Sequence, residues 1–211
     1  MALISIAHPN FRPWLIEEAK KRGLIFRDQV FIPGKRGEYP EHLEIHRTLP
    51  SGIQLFLRPI KFTDEPLLKD FLYSLSEESM YRRFISKRTD IPHEQLQQYV
   101  VIDYTKEMAI LGIMEHEEYE EIVGVGRYYV DETIHTAEVA FAVRDDYQRK
   151  GIGTMLLSYI TYLAKRQGLL GFTAEVLANN QPMLHTFEKA GFTIEKRMIA
   201  GVFELKMIFN D

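Results

Sequence analysis

The segment Val143-Arg144-Asp145-Asp146-Tyr147-Gln148-Arg149-Lys150-Gly151-Ile152-Gly153-Thr154 constrains this chain more than any other. An apolar run precedes it and an amphipathic run from Met155 to Leu163 follows, so it reads as strand, basic glycine turn and helix. Glycines at 151 and 153 let the backbone come close to a ligand, and successive N–H groups there can form an anion-binding nest. The helix that follows adds the unpaired N–H groups of its first turn and the positive end of its dipole. Arg149 and Lys150 supply mobile positive charge. The combination suits a pyrophosphate, with a plain strand-to-helix turn as the alternative reading.

Spacing narrows the kind of phosphate site. A dinucleotide-binding turn needs G-x-G-x-x-G and a P-loop needs G-x-x-x-x-G-K-[ST]. Gly151-Ile152-Gly153 is followed by Thr154-Met155-Leu156, which supplies neither a third glycine nor a Lys-Ser/Thr pair. Gly124-Val125-Gly126 lies in a strand before Arg127 and is no phosphate loop. His42 and His46 are four apart but lack an H-E-x-x-H context or a third ligand, so no metal site is expected. There is no G-x-S-x-G elbow.

Length allows one domain or one and a half, with a sizeable core: 211 residues, 45% hydrophobic and 27% charged. A net charge of −4 argues against general nucleic-acid binding. The absence of cysteine excludes disulfides, thiolate metal sites and a cysteinyl acyl-enzyme. It suits the cytoplasm, as does the lack of a signal h-region at Leu3–Ala7 or of any apolar run near membrane-spanning length. No membrane partner is expected.

The chain divides near residues 48–52, into an extension, 1–50, and a main domain, 51–211. The extension carries one helix signal, Phe11 to Arg22, with Asn10 as a possible cap and Gly23 just past its end. It would bury Trp14, Leu15 and Ile16 against the main domain. From Ile53 the pattern becomes regular. Ile53–Arg58 reads as a strand; three helices follow, capped at Thr63 or Asp64, over Ser76–Ser86, and over Pro92–Val101. Then come a hairpin of Glu107–Met114 with Ile122–Val130, the strand Thr136–Val143, and the helix Gly151–Gln167 ended by Gly168. The strand Phe172–Leu177, the helix Pro182–Ala190 and a terminal pair, Phe192–Arg197 with Val202–Phe209, complete the order.

Gln148, Gly151 and Gly153 meet the pattern Gln/Arg-x-x-Gly-x-Gly/Ala. With the β-α-α-β-β-β-α-β-α-β-β order around it, the chain resembles the GNAT acetyltransferase superfamily. The resemblance implies an α+β fold: a mixed, mostly antiparallel central sheet flanked by helices, here with a short N-terminal helical extension. It implies acetyl-CoA as cosubstrate and no metal. Gln148, Arg149, Lys150, Gly151, Ile152, Gly153 and Thr154 would hold the pyrophosphate. The backbone of Phe141 and Val143 would pair with pantetheine and the thioester carbonyl. Asn180 would meet the pantetheine arm, or simply cap its helix. Where many relatives carry a Tyr as general acid, this chain has Phe187, which cannot donate a proton.

Ala137-Glu138-Val139-Ala140-Phe141 is similar to the A-E-x-A-F strand of bacterial Pat-type protein-lysine acetyltransferases, whose Glu is the general base. Alternation sets Glu138, Ala140 and Ala142 against Val139, Phe141 and Val143, in a sheet expected to be covered on both faces. A buried carboxylate is costly unless paired or neutralised. A lysine ammonium, pKa about 10.4, must lose its proton before attacking a thioester. A carboxylate lifted by desolvation to about 6–7 can take it, directly or through water. Pairing with Arg127 or Arg144, or exposure to solvent, would be purely structural alternatives for Glu138.

Leu75-Ser76-Glu77-Glu78-Ser79-Met80-Tyr81-Arg82-Arg83-Phe84 resembles a helix of the same Pat-type enzymes, whose targets include lysines of acyl-CoA synthetases. It favours a protein acceptor, although Met80 and Phe84 also suit a core. The turn Glu115–Glu121 holds five acids, suited to solvent or to a basic substrate segment. Residues 7–12, 17–20 and 39–41 look like the C-terminal tail of the acetyl-CoA hydrolase/CoA-transferase family, which would make the chain part of a longer fusion. The leading expectation is acetyl transfer to a protein lysine by direct attack in a ternary complex. The alternatives are a small-amine N-acetyltransferase and a non-catalytic acyl-CoA-sensing module.

Overall fold

The computed structural model of the protein describes residues 4, 7, 11–25, 39–87 and 90–210. Helix α1 is Arg12–Lys21, with Phe11 at its cap position and Gly23 at φ +66 just beyond it. The expected cap Asn10 lies outside the described residues, as do most of residues 7–10 and all of 26–38. Ile16 is buried, but Trp14 is 63% exposed, so the expected burial of Trp14 is corrected.

The described strands form one sheet, in the order β1-β2-β3-β4-β5-β6-β8-β7. These are β1 Ile45–Thr48, β2 Gln54–Pro59, β3 Glu107–Glu115, β4 Glu120–Asp131, β5 Thr136–Val143, β6 Gly171–Leu177, β7 Thr193–Ile199 and β8 Val202–Ile208. The remaining helices are α2 Glu65–Ser74, α3 Glu77–Phe84, α4 His93–Val100, α5 Ile152–Arg166 and α6 Gln181–Lys189. This is the expected α+β architecture, and β5 runs over the residues predicted for it. β1 pairs with β2 from Ile45 to Thr48, so the sheet begins before Ile53.

Two cores form, one on each face of the sheet. On one face α5 and α6 pack Ile152, Leu156, Ile160, Leu184 and Phe187 against Val139, Phe141, Phe172 and Met207. On the other, α2, α3 and α4 pack Leu68, Phe71, Met80, Leu96 and Val100 against Leu111, Ile113 and Ile122. Met80 and Phe84 are therefore core contacts of α3. The second core takes residues from β2, β3 and β4 but none from β6, β7 or β8, so the outer half of that face has polar residues open to solvent.

Glycine decides how closely these layers approach. A Cβ on Gly126 would sit 2.6 Å from Ile160 Cδ1 and 2.8 Å from Phe141 Cε1; one on Gly124 would sit 2.9 Å from Leu156 Cδ1. The two β4 glycines thus seat α5 directly on the strand. Arg58 and Asp64, both buried, form a two-pronged ion pair at 2.6 and 2.9 Å, and Arg58 also reaches Glu120 at 3.0 Å. Asp64 accepts the Lys61 N–H at 2.7 Å as well, so its carboxylate ties β2 to the start of α2 instead of capping the helix by side chain.

Gly171 opens β6 where backbone meets backbone: a Cβ there would lie 2.2 Å from the Met207 carbonyl oxygen. Gly171→Ala should cost about 3 kcal/mol or more in urea unfolding, since β8 must shift. Gly168→Ala, at φ +84 with no atom within 4 Å of the new Cβ, should cost only the left-handed backbone penalty, about 1 kcal/mol.

Candidate active site

The site begins where two strands part. β5 pairs with β4 along its whole length, from Thr136 to Val143. Its parallel pairing with β6 covers only Thr136↔Gly171, Ala137↔Phe172 and Glu138↔Thr173. Beyond Glu138 the sheet opens into a wedge, and the β6-facing backbone of residues 139–143 has no strand partner. A cleft of about 770 Å³ occupies the opening, walled by α3, the end of β5, the glycine loop and α6.

The loop is held in a specific shape. Asp145–Tyr147 forms a 3-10 turn, Arg149 takes φ +60 and Gly151 takes φ +93 before α5 starts. No side chain caps α5, which leaves the N–H groups of Ile152, Gly153 and Thr154 facing an open end. A Cβ on Gly151 would meet nothing within 4 Å, and one on Gly153 only Val143 Cγ2 at 3.8 Å, so the surface there is bare backbone. That geometry suits an anion.

The side chains expected here divide by direction. Phe141, Val143, Gln148, Arg149, Gly151, Gly153, Thr154 and Asn180 line the cleft. Ile152 is buried in the core and can offer only its backbone. Lys150 rests over the Tyr147 ring at 4.8 Å and is not part of the cleft wall. Gln148 braces the loop: its amide donates to Ser79 Oγ and to the Val143 carbonyl, both at 3.1 Å. Asn180 lines the cleft and also caps α6, accepting the Met183 N–H at 3.4 Å. Phe187 is buried, edge-on to Phe141 at 6.1 Å.

Sequence reasoning missed Asp145. Its carboxylate accepts the Ser76 N–H at 2.9 Å and the hydroxyls of Ser76 and Ser79 at 2.8 Å each. These bonds dock the start of α3 on the loop. The Ser-x-x-Ser spacing at 76 and 79 was a visible helix-start signal, but nothing local points to Asp145 as the acceptor. Arg144 grips Asp146 at 2.7 Å through two nitrogens, and also Glu121. The acidic turn is likewise tied down, with Glu115 bonded to His46 at 2.9 Å and Glu120 to Arg58.

Glu138 is exposed, which corrects the expectation that it is buried. The physical reason is the bare outer half of its face: it is the last residue of β5 paired to β6, where cover by the helices ends. It pairs with neither Arg127 nor Arg144. Glu138 lines a separate groove of about 520 Å³ that runs over Thr173 and Glu175, Glu204 and Lys206, and on to Arg197. The carboxylate thus stands at the apex of the wedge, between cleft and groove. Among the described residues no cluster of three or more potential ligands could hold a metal ion, and no helix is long and apolar enough to cross a membrane.

This arrangement is that of an N-acyltransferase. The chain matches the Acetyltransferase (GNAT) family over residues 70–192 and belongs to it. It is 31% identical over 143 residues to the acetyltransferase Pat of Mycolicibacterium smegmatis, covering 67% of this chain and 42% of that protein. It is 26% identical over 136 residues to an acetyltransferase of Pseudomonas aeruginosa, covering 64% of this chain and 73% of that one. Among solved structures it is similar to the GNAT domain of S. lividans PAT, with a TM-score of 0.74 and 28% identity, covering 82% of this chain and all of that one. The chain thus spans less than half the length of the Mycolicibacterium protein.

Burial works against the Asp145 charge, but the Ser76 amide and the Ser79 and Ser76 hydroxyls outweigh it and hold the carboxyl below its usual range. Its stabilising contribution is therefore complete above the unfolded value, about 3.9, and fades as pH falls through the lower folded value. Asp145→Asn should flatten the acid limb of the stability curve below about pH 4, followed by circular dichroism. It should also weaken CoA binding at neutral pH about tenfold, because α3 loses its hold on the loop.

Proposed function

We propose that this protein transfers the acetyl group of acetyl-CoA to a lysine side chain of a protein, by direct attack in a ternary complex. The observation that carries the reading is the position of Glu138, at the apex of the wedge with the cleft on one side and the groove on the other. In this reading the pyrophosphate lies on Gly151–Thr154 and Arg149, and pantetheine follows the unpartnered edge of β5 past Val143 and Phe141. The thioester then comes to rest near the apex. The amine arrives from the groove.

Glu138 takes the ammonium proton, directly or through a water. The neutral nitrogen attacks the thioester carbon, the C–N bond forms, the C–S bond breaks, CoA leaves as thiolate and the nitrogen gives its second proton to water. With Phe187 in place of a hydroxyl, the thiolate takes its proton from water; a thiol of pKa about 8.5 is a fair leaving group. Because Glu138 is exposed, its catalytic value comes from position and not from desolvation. The groove beside it is open and has charged walls, a form suited to a polypeptide and unlike an enclosed small-amine pocket. An acyl-CoA synthetase lysine is the proposed acceptor, the cytoplasm the proposed setting, and residues 1–50 the proposed appended segment of a longer, CoA-transferase-like fusion.

Glu138→Gln keeps size and polarity but cannot accept a proton. Turnover of acetyl-CoA with a lysine acceptor should fall by about 10²–10⁴-fold at neutral pH, with CoA affinity by calorimetry unchanged. The variant should recover partly at high pH, where more amine is neutral. Wild-type turnover by Glu138→Gln at pH 7 would place the base elsewhere. Tight acetyl-CoA binding by a wild type that acylates no amine would instead support the sensing-module reading.

A further inference from the structure

Arg83 is half-buried in the cleft wall, unlike the exposed Arg149 and Lys189, and has no opposite charge of its own. Neighbouring Arg82 is ion-paired with Glu78 at 2.5 Å, whereas Arg83 has no carboxylate within ion-pair distance among the described residues. Its guanidinium lies 4.9 Å from the Phe84 ring. The Phe84 ring stacks on that of Tyr99 at 6.2 Å, and a second guanidinium, Arg127, lies over Tyr99 at 5.3 Å. Arg127 bonds the Tyr129 hydroxyl at 2.9 Å and the Tyr99 carbonyl, and its charge reaches Arg83. Burial and the Arg127 charge together push the Arg83 guanidinium down from its ordinary value. Glu138 is within electrostatic reach of Arg83, and Glu107 of Arg127, but neither forms an ion pair. Two guanidiniums within electrostatic reach of each other in a partly buried place are costly without a counter-charge.

The fold says which end of the cleft this is. α3 starts at the loop, with Ser76 and Ser79 bonded to Asp145, and rises about 12 Å over its eight residues. Arg83 lies a full turn beyond Ser79, away from the loop, and within electrostatic reach of Arg127 and Tyr129, whose cross-strand partners on β5 are Ala140 and Glu138. It therefore sits toward the apex, where the acyl group would lie, and not at the pyrophosphate end. Arg83 lines the cleft and is absent from the groove, which puts it on the donor's side.

We propose that the site also accepts CoA thioesters of short dicarboxylic acids, with the free carboxylate of the acyl group paired to Arg83 and Arg127 adding its charge. This rests on the acyl-transfer reading above and adds a donor class to it. The chemistry balances as for acetyl: the lysine nitrogen bonds the thioester carbon, the C–S bond breaks, the ammonium proton passes to Glu138 or water, and the distal carboxylate is unchanged.

The test compares succinyl-CoA with butyryl-CoA, which has the same chain length and no carboxylate. The wild type should prefer succinyl-CoA at least tenfold in kcat/KM. Arg83→Gln should reduce that ratio tenfold or more, and Arg83→Lys should keep part of it. A wild-type preference for butyryl-CoA, or a ratio untouched in a folded Arg83→Gln, overturns the proposal. The calorimetric affinity ratio of the two thioesters judges it even if no acceptor is acylated, so failure of transfer and failure of this inference are separate results. If Arg83→Gln fails to fold, the wild-type ratio and Arg83→Lys decide. Acceptor peptides with and without an acidic residue beside the lysine form a further arm with acetyl-CoA. An Arg83 effect confined to the acidic acceptor would move the carboxylate to the acceptor and overturn the donor assignment.

Discussion

The rest of the structure depends on how early β5 and β6 part company. Three residue pairs hold them together, and beyond Glu138 the β6-facing backbone of β5 has no strand partner. Buried backbone groups without partners are costly, so such an edge must meet solvent or a ligand. An extended pantetheine chain, with amides of its own, is a natural partner for it. The parting also sets where the carboxylate stands, because the last paired residue is Glu138 itself.

Around that opening, packing and polar ties do different jobs. Gly124 and Gly126 bring α5 hard against β4, and the close approach fixes the start of α5 under the loop through Ile152, which is fully buried. Asp145 and Gln148 fix the other wall, joining α3 to the loop by bonds of 2.8–3.1 Å. The cleft is therefore braced on both sides by elements that belong to different cores. The Ser51 hydroxyl, in the turn between β1 and β2, adds a bond to the Lys150 carbonyl at 3.2 Å, so chain from outside the main helix-and-sheet pattern also touches the loop.

Much of this was legible in the residues because it is local. Alternation marks β5 end to end, and glycines 151, 168 and 191 mark where helices begin or stop, each at positive φ. The motif names the loop positions correctly but not their directions: it cannot tell that Ile152 turns into the core or that Lys150 lies back on Tyr147. The exposure of Glu138 was illegible for another reason. Alternation gives its face, whereas cover on that face depends on how far α2–α4 extend over the sheet, a long-range matter. Asp145 was missed because its three donors come from residues 76 and 79, far away in sequence. Trp14 was assigned to an interface from its type alone, and α1 instead turns it outward.

The central claim is that CoA lies in the wedge, along the open edge of β5 and on the first turn of α5. Hydrogen exchange of the protein with and without CoA tests it most directly, because the β6-facing N–H groups of that edge and the first-turn N–H groups of α5 have no strand or helix partner. The account predicts slowed exchange within residues 139–143 and at residues 152–154 when CoA is added. Residues 195–206 of the groove should exchange as before. Protection confined to the groove, with residues 139–143 and 152–154 unchanged by saturating CoA, would contradict it.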